Sequence, residues 1–164
     1  TWKAKEYGID TKFIGLAGEV NVHMPEYVVG KLGEALNERC KPLKNSKVLI
    51  LGVAYKKDID DMRESPALHI MEALEERGAQ FDYHDPHISS IPPTRQSPEL
   101  TGKESVNLTE ANIKSYDAVM VITDHTEVDY KLVAKAANVI VDTRGVFQKD
   151  QNRVADLEKK LVRA

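Results

Sequence analysis

The chain has little cysteine, no long apolar run and no excess of positive charge. A single cysteine, Cys40, excludes an intramolecular disulfide and is typical of a reducing compartment, so we expect a cytoplasmic protein. No run of residues is long and apolar enough to cross a bilayer, and we expect no membrane partner. A net charge of −3 argues against nucleic acid as a partner.

Glycine is scarce at the point where a dinucleotide-binding fold needs it. The apolar run Lys47–Leu51 predicts a buried strand, and the loop Gly52–Asp58 follows it with one glycine. A Rossmann-type domain binds a pyrophosphate with a Gly-x-Gly-x-x-Gly loop, because glycines let the backbone approach the phosphates. Here Tyr55 and Lys56 occupy that space. We therefore predict a nucleotide ligand whose phosphates are bound by cationic side chains.

Apolar strands alternate with helices along most of the chain. A helix is expected to begin at Ser65-Pro66, with serine as the N-cap and proline in the first turn, and to end at Gly78. This order predicts an α/β fold with a Rossmann-like, doubly wound parallel sheet. We expect an irregular loop over residues 87–103 and a helix or a frayed end over residues 151–164. The remaining predicted elements are strands at Val48–Leu51, Gln80–Tyr83, Ala118–Ile122 and Val139–Val141, and a helix at Tyr130–Ala137.

A long helical segment precedes this domain. Residues 1–40 have apolar positions at helical spacing throughout, and Pro25 lies in the middle. Because proline frees the carbonyl four residues back, we expect either a kink there or a second helix that begins at Pro25. The helix either packs on its own domain, or it connects domains or dimerises. We place the helical linker and dimerisation segment at residues 1–45 and the nucleotide-binding domain at residues 46–164.

Polar side chains follow the first, third and fourth predicted strands. Carboxyl ends of parallel strands form one edge of a sheet, so Lys56 and Arg144 are placed to converge on one anion. A diphosphate fits this pair, since arginine binds phosphate oxygens in a fork and lysine supplies a point charge. The alternative is that both cations pair with nearby carboxylates such as Asp58 and Asp142.

Other candidate residues are less favoured. Cys40 lies between two basic residues but has no accompanying base, so we interpret it as inert. His84 and His87 flank a turn without a further clustered ligand, and we predict no metal site there. Asp85 follows the second strand, where a Rossmann domain has its ribose-binding acid. Without the glycine loop, the Asp85-Pro86 pair is interpreted as a turn.

The residues around the first loop resemble a known family. The segment Gly52–Ala67 is similar to the signature of the C-terminal domain of the UDP-glucose/GDP-mannose dehydrogenase family. Tyr83–Pro86 and Asp142–Arg144 match as well, and the leading segment Ala17–Pro25 resembles the family's central helix. The resemblance covers essentially the whole chain, and it is greatest to the UDP-N-acetylglucosamine branch.

This resemblance implies an NAD-dependent nucleotide-sugar 6-dehydrogenase, which oxidises the sugar C6 alcohol to a carboxylate in two steps. It implies that Tyr55, Lys56 and Arg144 contact the UDP-sugar substrate. Arg63 matches a residue that reaches the NAD pyrophosphate, while an N-terminal Rossmann domain binds most of the NAD. The central helix carries much of the family's dimer interface, which implies a homodimer through residues 11–40.

The family's catalytic cysteine and NAD domain lie upstream of the matching segment. Cys40 follows the central helix and is therefore not the nucleophile of the family. We expect a C-terminal fragment that is inactive alone. Two alternatives stay open, namely a stand-alone nucleotide-binding or regulatory module without catalysis, and an assembly domain that dimerises through residues 11–40.

Overall fold

The structure is a computed structural model that describes residues 2–8, 10–94 and 97–164. A parallel sheet of five strands forms its centre, in the order β2-β1-β3-β4-β5. This sheet and its flanking helices confirm the predicted α/β, Rossmann-like fold. The strands are β1 Lys47–Leu51, β2 Gln80–His84, β3 Ala118–Val121, β4 Ile140–Asp142 and β5 Leu161–Arg163.

Five helices and four short 3₁₀ turns accompany the strands in the described residues. The helices are α1 Trp2–Glu6, α2 Lys12–Asn37, α3 Pro66–Glu76, α4 Glu110–Lys114 and α5 Tyr130–Ala136. The 3₁₀ turns are Pro98–Leu100, Val146–Gln148, Asp150–Asn152 and Leu157–Lys159. The prediction of a helix or a frayed end for residues 151–164 was therefore wrong, because this tail ends in the edge strand β5.

Two apolar cores cover the two faces of the sheet. Side chains of a strand alternate between faces, so Val48 and Ile50 of β1 belong to one core and Leu49 and Leu51 to the other. α2 and α3 cover the first face, and α4, α5 and the C-terminal turns cover the second. Both faces of β3 and of β1 after Lys47 are buried, which is why Val48–Leu51 and Ala118–Val121 are apolar at every position.

Helix α3 begins and ends as the sequence predicts. The Ser65 Oγ accepts a hydrogen bond from the Ala67 N–H (3.2 Å), and Pro66 is the first helical residue. Gly78 follows the helix with φ of 72°, a left-handed conformation that glycine adopts without strain. These caps fix the start of α3 directly after the loop that leaves β1.

Helix α2 is continuous from Lys12 to Asn37, with Pro25 inside it. The prediction of helix throughout residues 1–40 was wrong in detail, because the separate helix α1 precedes α2. The alternative of a second helix that begins at Pro25 was also wrong. The second half of α2 is buried against the sheet through residues such as Val29 and Leu32, whereas its first half exposes large apolar side chains, including Phe13 at 87%.

The connection from β2 to α4 is largely irregular, as predicted. It contains the 3₁₀ turn Pro98–Leu100 and an isolated antiparallel bridge between Ser90 and Glu104. Part of the predicted 87–103 loop, Arg95 and Gln96, lies outside the described residues. Within the described ranges, no helix has both the length and the apolar character that crossing a membrane requires.

Candidate functional site

A cavity of about 700 Å³ lies between the middle of α2 and the carboxyl edge of the sheet. The connection from β1 leads to β2 on one side of it, and the connection from β2 returns to β3 on the other side, so the strand order reverses at β1. Such a switch point leaves a crevice at the carboxyl ends of the strands, where ligands of open α/β sheets bind. The cavity has an apolar wall from α2, which includes Val22, Pro25 and Val28, and a polar wall from the loops.

Three of the predicted site residues line this cavity together. Tyr55 and Lys56 come from the loop after β1, and Arg144 comes from the loop after β4. Tyr55 is 48% exposed, and the Lys56 Nζ lies 5.3 Å from the centroid of the Tyr55 ring. This distance permits a cation–π interaction, which keeps the ammonium near the cavity.

Arg144 is held by two carboxylates. Its backbone N–H donates to the Asp142 Oδ1 (2.9 Å), and its side-chain Nε lies 3.4 Å from the Asp124 Oδ1. The Arg144 side chain thus pairs with an acid, Asp124, that the alternative of pairing with nearby carboxylates had not named. Among the described residues, Nε is the Arg144 side-chain nitrogen that contacts a carboxylate, so the two terminal nitrogens can contact an anion. In the described part of the chain, Lys56 makes no ion pair.

Arg63 does not line the cavity. Its side chain is 88% exposed and pairs with the Asp61 carboxylate at 2.7 Å. The Arg63 guanidinium lowers the pKa of Asp61 to about 2, and Asp61 raises the pKa of Arg63. The structure therefore brings three of the four predicted residues together and leaves Arg63 on an outer loop, where its predicted contact with NAD stays a prediction.

Among the further polar residues of the cavity, Glu64 and His69 were missed in the sequence. Glu64 lies directly before the N-cap of α3 and has φ of 57°, and His69 lies one turn inside that helix. The His69 Nδ1 is 3.2 Å from the Glu72 Oε2, which orients the ring. The signal for both was their place next to a helix start at the carboxyl edge of the sheet.

The loop after β1 is held by a buried carboxylate. Asp85, which follows β2, has a fully buried side chain. Its Oδ2 accepts hydrogen bonds from the N–H groups of Val53 (2.7 Å) and Ala54 (3.2 Å). Its Oδ1 accepts from the N–H groups of His87 (2.8 Å) and Ile88 (3.1 Å). Asp85 thus does more than form the turn that the sequence suggested, because it ties two loops together.

The contacts of Asp85 indicate whether this part of the chain could bind NAD. A dinucleotide domain binds the cofactor ribose with an acid at this position and the pyrophosphate with a glycine-rich loop. Here the carboxylate is buried, accepts four backbone N–H groups and contacts the His125 Nε2, and the loop has one glycine. The loop after β1 and Asp85 therefore do not fit an NAD site of that kind.

Asp58, His87 and His125 have potential metal-ligand atoms within 4.8 Å of one another. Both nitrogens of His125 already have partners, since Nε2 lies 3.0 Å from the Asp85 Oδ2 and Nδ1 accepts the Asp58 N–H (2.9 Å). His84, which the sequence placed beside His87, instead contacts the Val106 carbonyl oxygen through Nδ1 (2.8 Å). The cluster therefore offers too few free ligands for a structural metal.

Comparison with known proteins gives consistent matches. The model of the UDP-glucose/GDP-mannose dehydrogenase family, UDP binding domain, matches residues 49–149. UDP-N-acetyl-D-mannosamine dehydrogenase of Methanococcus vannielii is 27% identical over 172 residues, covering 98% of this chain and 36% of that protein. The enzyme of the same name from Campylobacter jejuni is 35% identical over 121 residues, covering 72% of this chain and 28% of that protein.

A solved structure agrees in fold. NDP-N-acetyl-D-galactosaminuronic acid dehydrogenase from Methanosarcina mazei superposes with a TM-score of 0.70 at 28% identity, over 95% of this chain and 31% of that chain. The chain thus spans about a third of the length of the proteins it matches. These relatives carry other sugar names, so similarity to the UDP-N-acetylglucosamine branch stays a prediction. The family model matches most of the chain, and the chain belongs to the UDP-glucose/GDP-mannose dehydrogenase family.

Proposed function

We propose that this chain is the substrate-nucleotide-binding part of an NAD-dependent UDP-sugar 6-dehydrogenase. The complete enzyme oxidises the sugar C6 alcohol to a carboxylate in two steps. Tyr55, Lys56 and Arg144 bind the UDP portion of the substrate. NAD is bound mainly by another part of the enzyme, and Arg63 reaches its pyrophosphate. The observation that supports this proposal most directly is that Tyr55, Lys56 and Arg144 line one cavity in a chain of this family.

The chemistry of the cavity suits a uridine diphosphate. Lys56 and Arg144 supply two positive charges from different loops, which attract a diphosphate, while the Glu64 carboxylate lines the same cavity and offsets part of this charge. The apolar wall from α2 and the ring of Tyr55 offer flat contacts for a base or a ribose. Binding energy from this remote group would hold the sugar C6 in place at the reacting centre of the complete enzyme.

We also propose that the protein is a homodimer through residues 11–40. Helix α2 exposes five large apolar side chains that we call the α2 stripe, namely Phe13, Leu16, Val20, Met24 and Tyr27. At about 100° per residue, these five side chains fall on one side of the helix. A contiguous apolar surface of this kind is typical of an interaction site.

Calorimetric titration of the chain with UDP tests the nucleotide site. We expect saturable binding by the wild type and no binding of NAD under the same conditions. Removing one cation–phosphate contact costs about 2 kcal/mol, so Lys56→Ala and Arg144→Ala should each weaken UDP binding about 30-fold. Lys47→Ala is the charge-matched control, since Lys47 begins β1 at the opposite edge of the sheet.

The variants separate a specific site from general electrostatic attraction. Equal weakening by Lys47→Ala and Lys56→Ala would show that the net charge of the chain, and not the cavity, governs binding. Binding of NAD with the same affinity as UDP would contradict the assignment of a substrate-nucleotide site. UDP binding that survives loss of both Lys56 and Arg144 would remove these residues from the site.

A further inference from the structure

His125 has a defined hydrogen-bonding state inside the protein. Its side chain is fully buried, and its Nδ1 receives the backbone N–H of Asp58 (2.9 Å). A backbone N–H can only donate, so Nδ1 must be the unprotonated acceptor. The proton of the neutral ring is therefore on Nε2, which donates to the Asp85 Oδ2 (3.0 Å). One ring thus joins the acid after β2 to the far end of the loop after β1.

The same loop is tied to the segment after β3 at further points. The Thr123 Oγ1 donates to the Ala54 carbonyl oxygen (2.7 Å). At the other end of the loop, the Asp58 carboxylate accepts the Thr126 N–H and the Thr126 hydroxyl, both at 2.7 Å. Asp58 itself has φ of 58°, a left-handed conformation that few residues adopt without such support.

These bonds bracket the two residues that face the cavity. Asp85 fixes Val53 and Ala54, and His125 fixes Asp58, whereas Tyr55 and Lys56 lie between these anchors. Among the described residues, the hydrogen bonds of Asp85 and His125 therefore place the loop without occupying the Lys56 side chain. In a dinucleotide loop, glycines provide the conformation in which phosphates are approached.

We propose that Asp85 and His125 are positioning residues that hold the Gly52–Asp58 loop in the conformation in which Lys56 meets the substrate diphosphate. This inference rests on the proposed UDP site. The acid that a dinucleotide domain turns outward to a ribose is turned inward in this chain, where it organises a side-chain phosphate site. We call the hydrogen bonds of Asp85 and His125 to the loop the clamp. A loop ordered before binding loses less conformational entropy on binding, so the clamp raises the affinity for the ligand without contacting it.

Variants of His125 separate positioning from simple stability. His125→Phe keeps a planar buried ring but removes both hydrogen bonds. His125→Gln keeps one acceptor and one donor on a terminal amide, with the spacing of the two ring nitrogens. Tyr116→Phe is the control for loss of a partly buried hydrogen bond, because the Tyr116 hydroxyl donates to the Asp82 Oδ2 (2.9 Å) away from the loop.

The experiment measures UDP affinity by calorimetry, thermal stability, and amide hydrogen exchange at residues 53, 54 and 58 in the absence of ligand. We expect His125→Phe to weaken UDP binding about tenfold and to accelerate exchange at these three amides. His125→Gln should restore most of the affinity. Tyr116→Phe should lower thermal stability and leave UDP affinity unchanged.

Each outcome decides one question. If the wild type does not bind UDP, the proposed function fails and this inference fails with it. If the wild type binds UDP and folded His125→Phe binds it equally well, the positioning role alone is overturned. Nitrogen-15 NMR of the wild-type imidazole covers the case in which His125→Phe does not fold. A proton on Nδ1 would overturn the clamp, and a proton on Nε2 with a bare Nδ1 supports it.

Discussion

The backbone of Gly52 passes against Thr123 so closely that a methyl group on Gly52 would lie 2.1 Å from the Thr123 carbonyl oxygen. Gly52 also has φ of 77°, which L-amino acids with side chains rarely adopt. The single glycine of the loop is therefore required for the contact between the ends of β1 and β3. It serves packing of the two strand ends, in contrast to the several glycines of a dinucleotide loop.

Gly52→Ala should accordingly destabilise the fold by about 3 kcal/mol, because the methyl group meets backbone atoms and the conformation is strained. Gly30→Ala is the control, since Gly30 lies in α2 with nothing within 4 Å of an added Cβ. That change should raise stability by up to about 1 kcal/mol. Urea unfolding of both variants measures the difference, and equal stabilities would contradict the close contact at Gly52.

Asp58 predicts a dependence of stability on pH. The Thr126 N–H and hydroxyl lower the pKa of the Asp58 carboxyl below its ordinary value of 3.8, because they bind the ionised form. A lowered folded-state pKa means that the contribution is complete well above pH 3.8 and disappears as the pH falls below it. The difference in melting temperature between the wild type and Asp58→Asn should therefore be constant from pH 6 to 8 and shrink toward pH 3.

Asparagine is suited to this test because it tolerates the left-handed conformation of Asp58. Asp60→Asn, two positions along the same loop, controls for the loss of one negative charge. A difference between the wild type and Asp58→Asn that grows on acidification would contradict the assigned role of the ionised carboxylate.

The α2 stripe predicts how the chain associates. A glutamate within an apolar interface leaves a buried, unpaired charge, so Val20→Glu should weaken the dimer by at least about tenfold. Val22→Glu introduces the same charge on the other side of the helix, roughly 160° from Val20, and should leave association unchanged. Analytical ultracentrifugation over a range of concentrations measures both. A wild type that is monomeric at all concentrations would contradict the dimer.

Activity is the next test. We predict that the chain alone forms no NADH from any UDP-sugar, because the loop after β1 and Asp85 do not fit an NAD site and Cys40 lies beyond α2, the helix that resembles the family's central helix. Absorbance at the NADH band, with UDP-N-acetylglucosamine, UDP-N-acetylmannosamine and UDP-glucose as substrates, checks this. NADH production that is retained in Cys40→Ser would show that another group in the chain performs the oxidation.

The central strands could be predicted from the sequence because burial on both faces requires apolar residues at each position. Val48–Leu51 and Ala118–Val121 have this composition. Leu161–Arg163 could not, because β5 is an edge strand of three residues in which Leu161 alone is buried. Its pairing with Ile140–Asp142 depends on tertiary structure, which no local pattern reports.

The cationic part of the site could be predicted by the rule that ligands bind at the carboxyl ends of parallel strands, which led to Lys56 and Arg144. The clamp could not be predicted in this way. Asp85 reaches Val53 across 32 positions of sequence, and His125 reaches Asp58 across 67. Such bonds form only once the sheet has placed three strand ends side by side, so the sequence shows an ordinary turn and an ordinary histidine.

Amide NMR of the nitrogen-15-labelled chain during addition of UDP tests the central claim most directly, since it locates the ligand on the molecule. Chemical-shift changes should concentrate at residues 54–57, 64–70 and 143–144 and saturate at one UDP per chain. Changes that centre on another surface, or no changes at millimolar UDP, would contradict a UDP site in the cavity lined by Lys56 and Arg144.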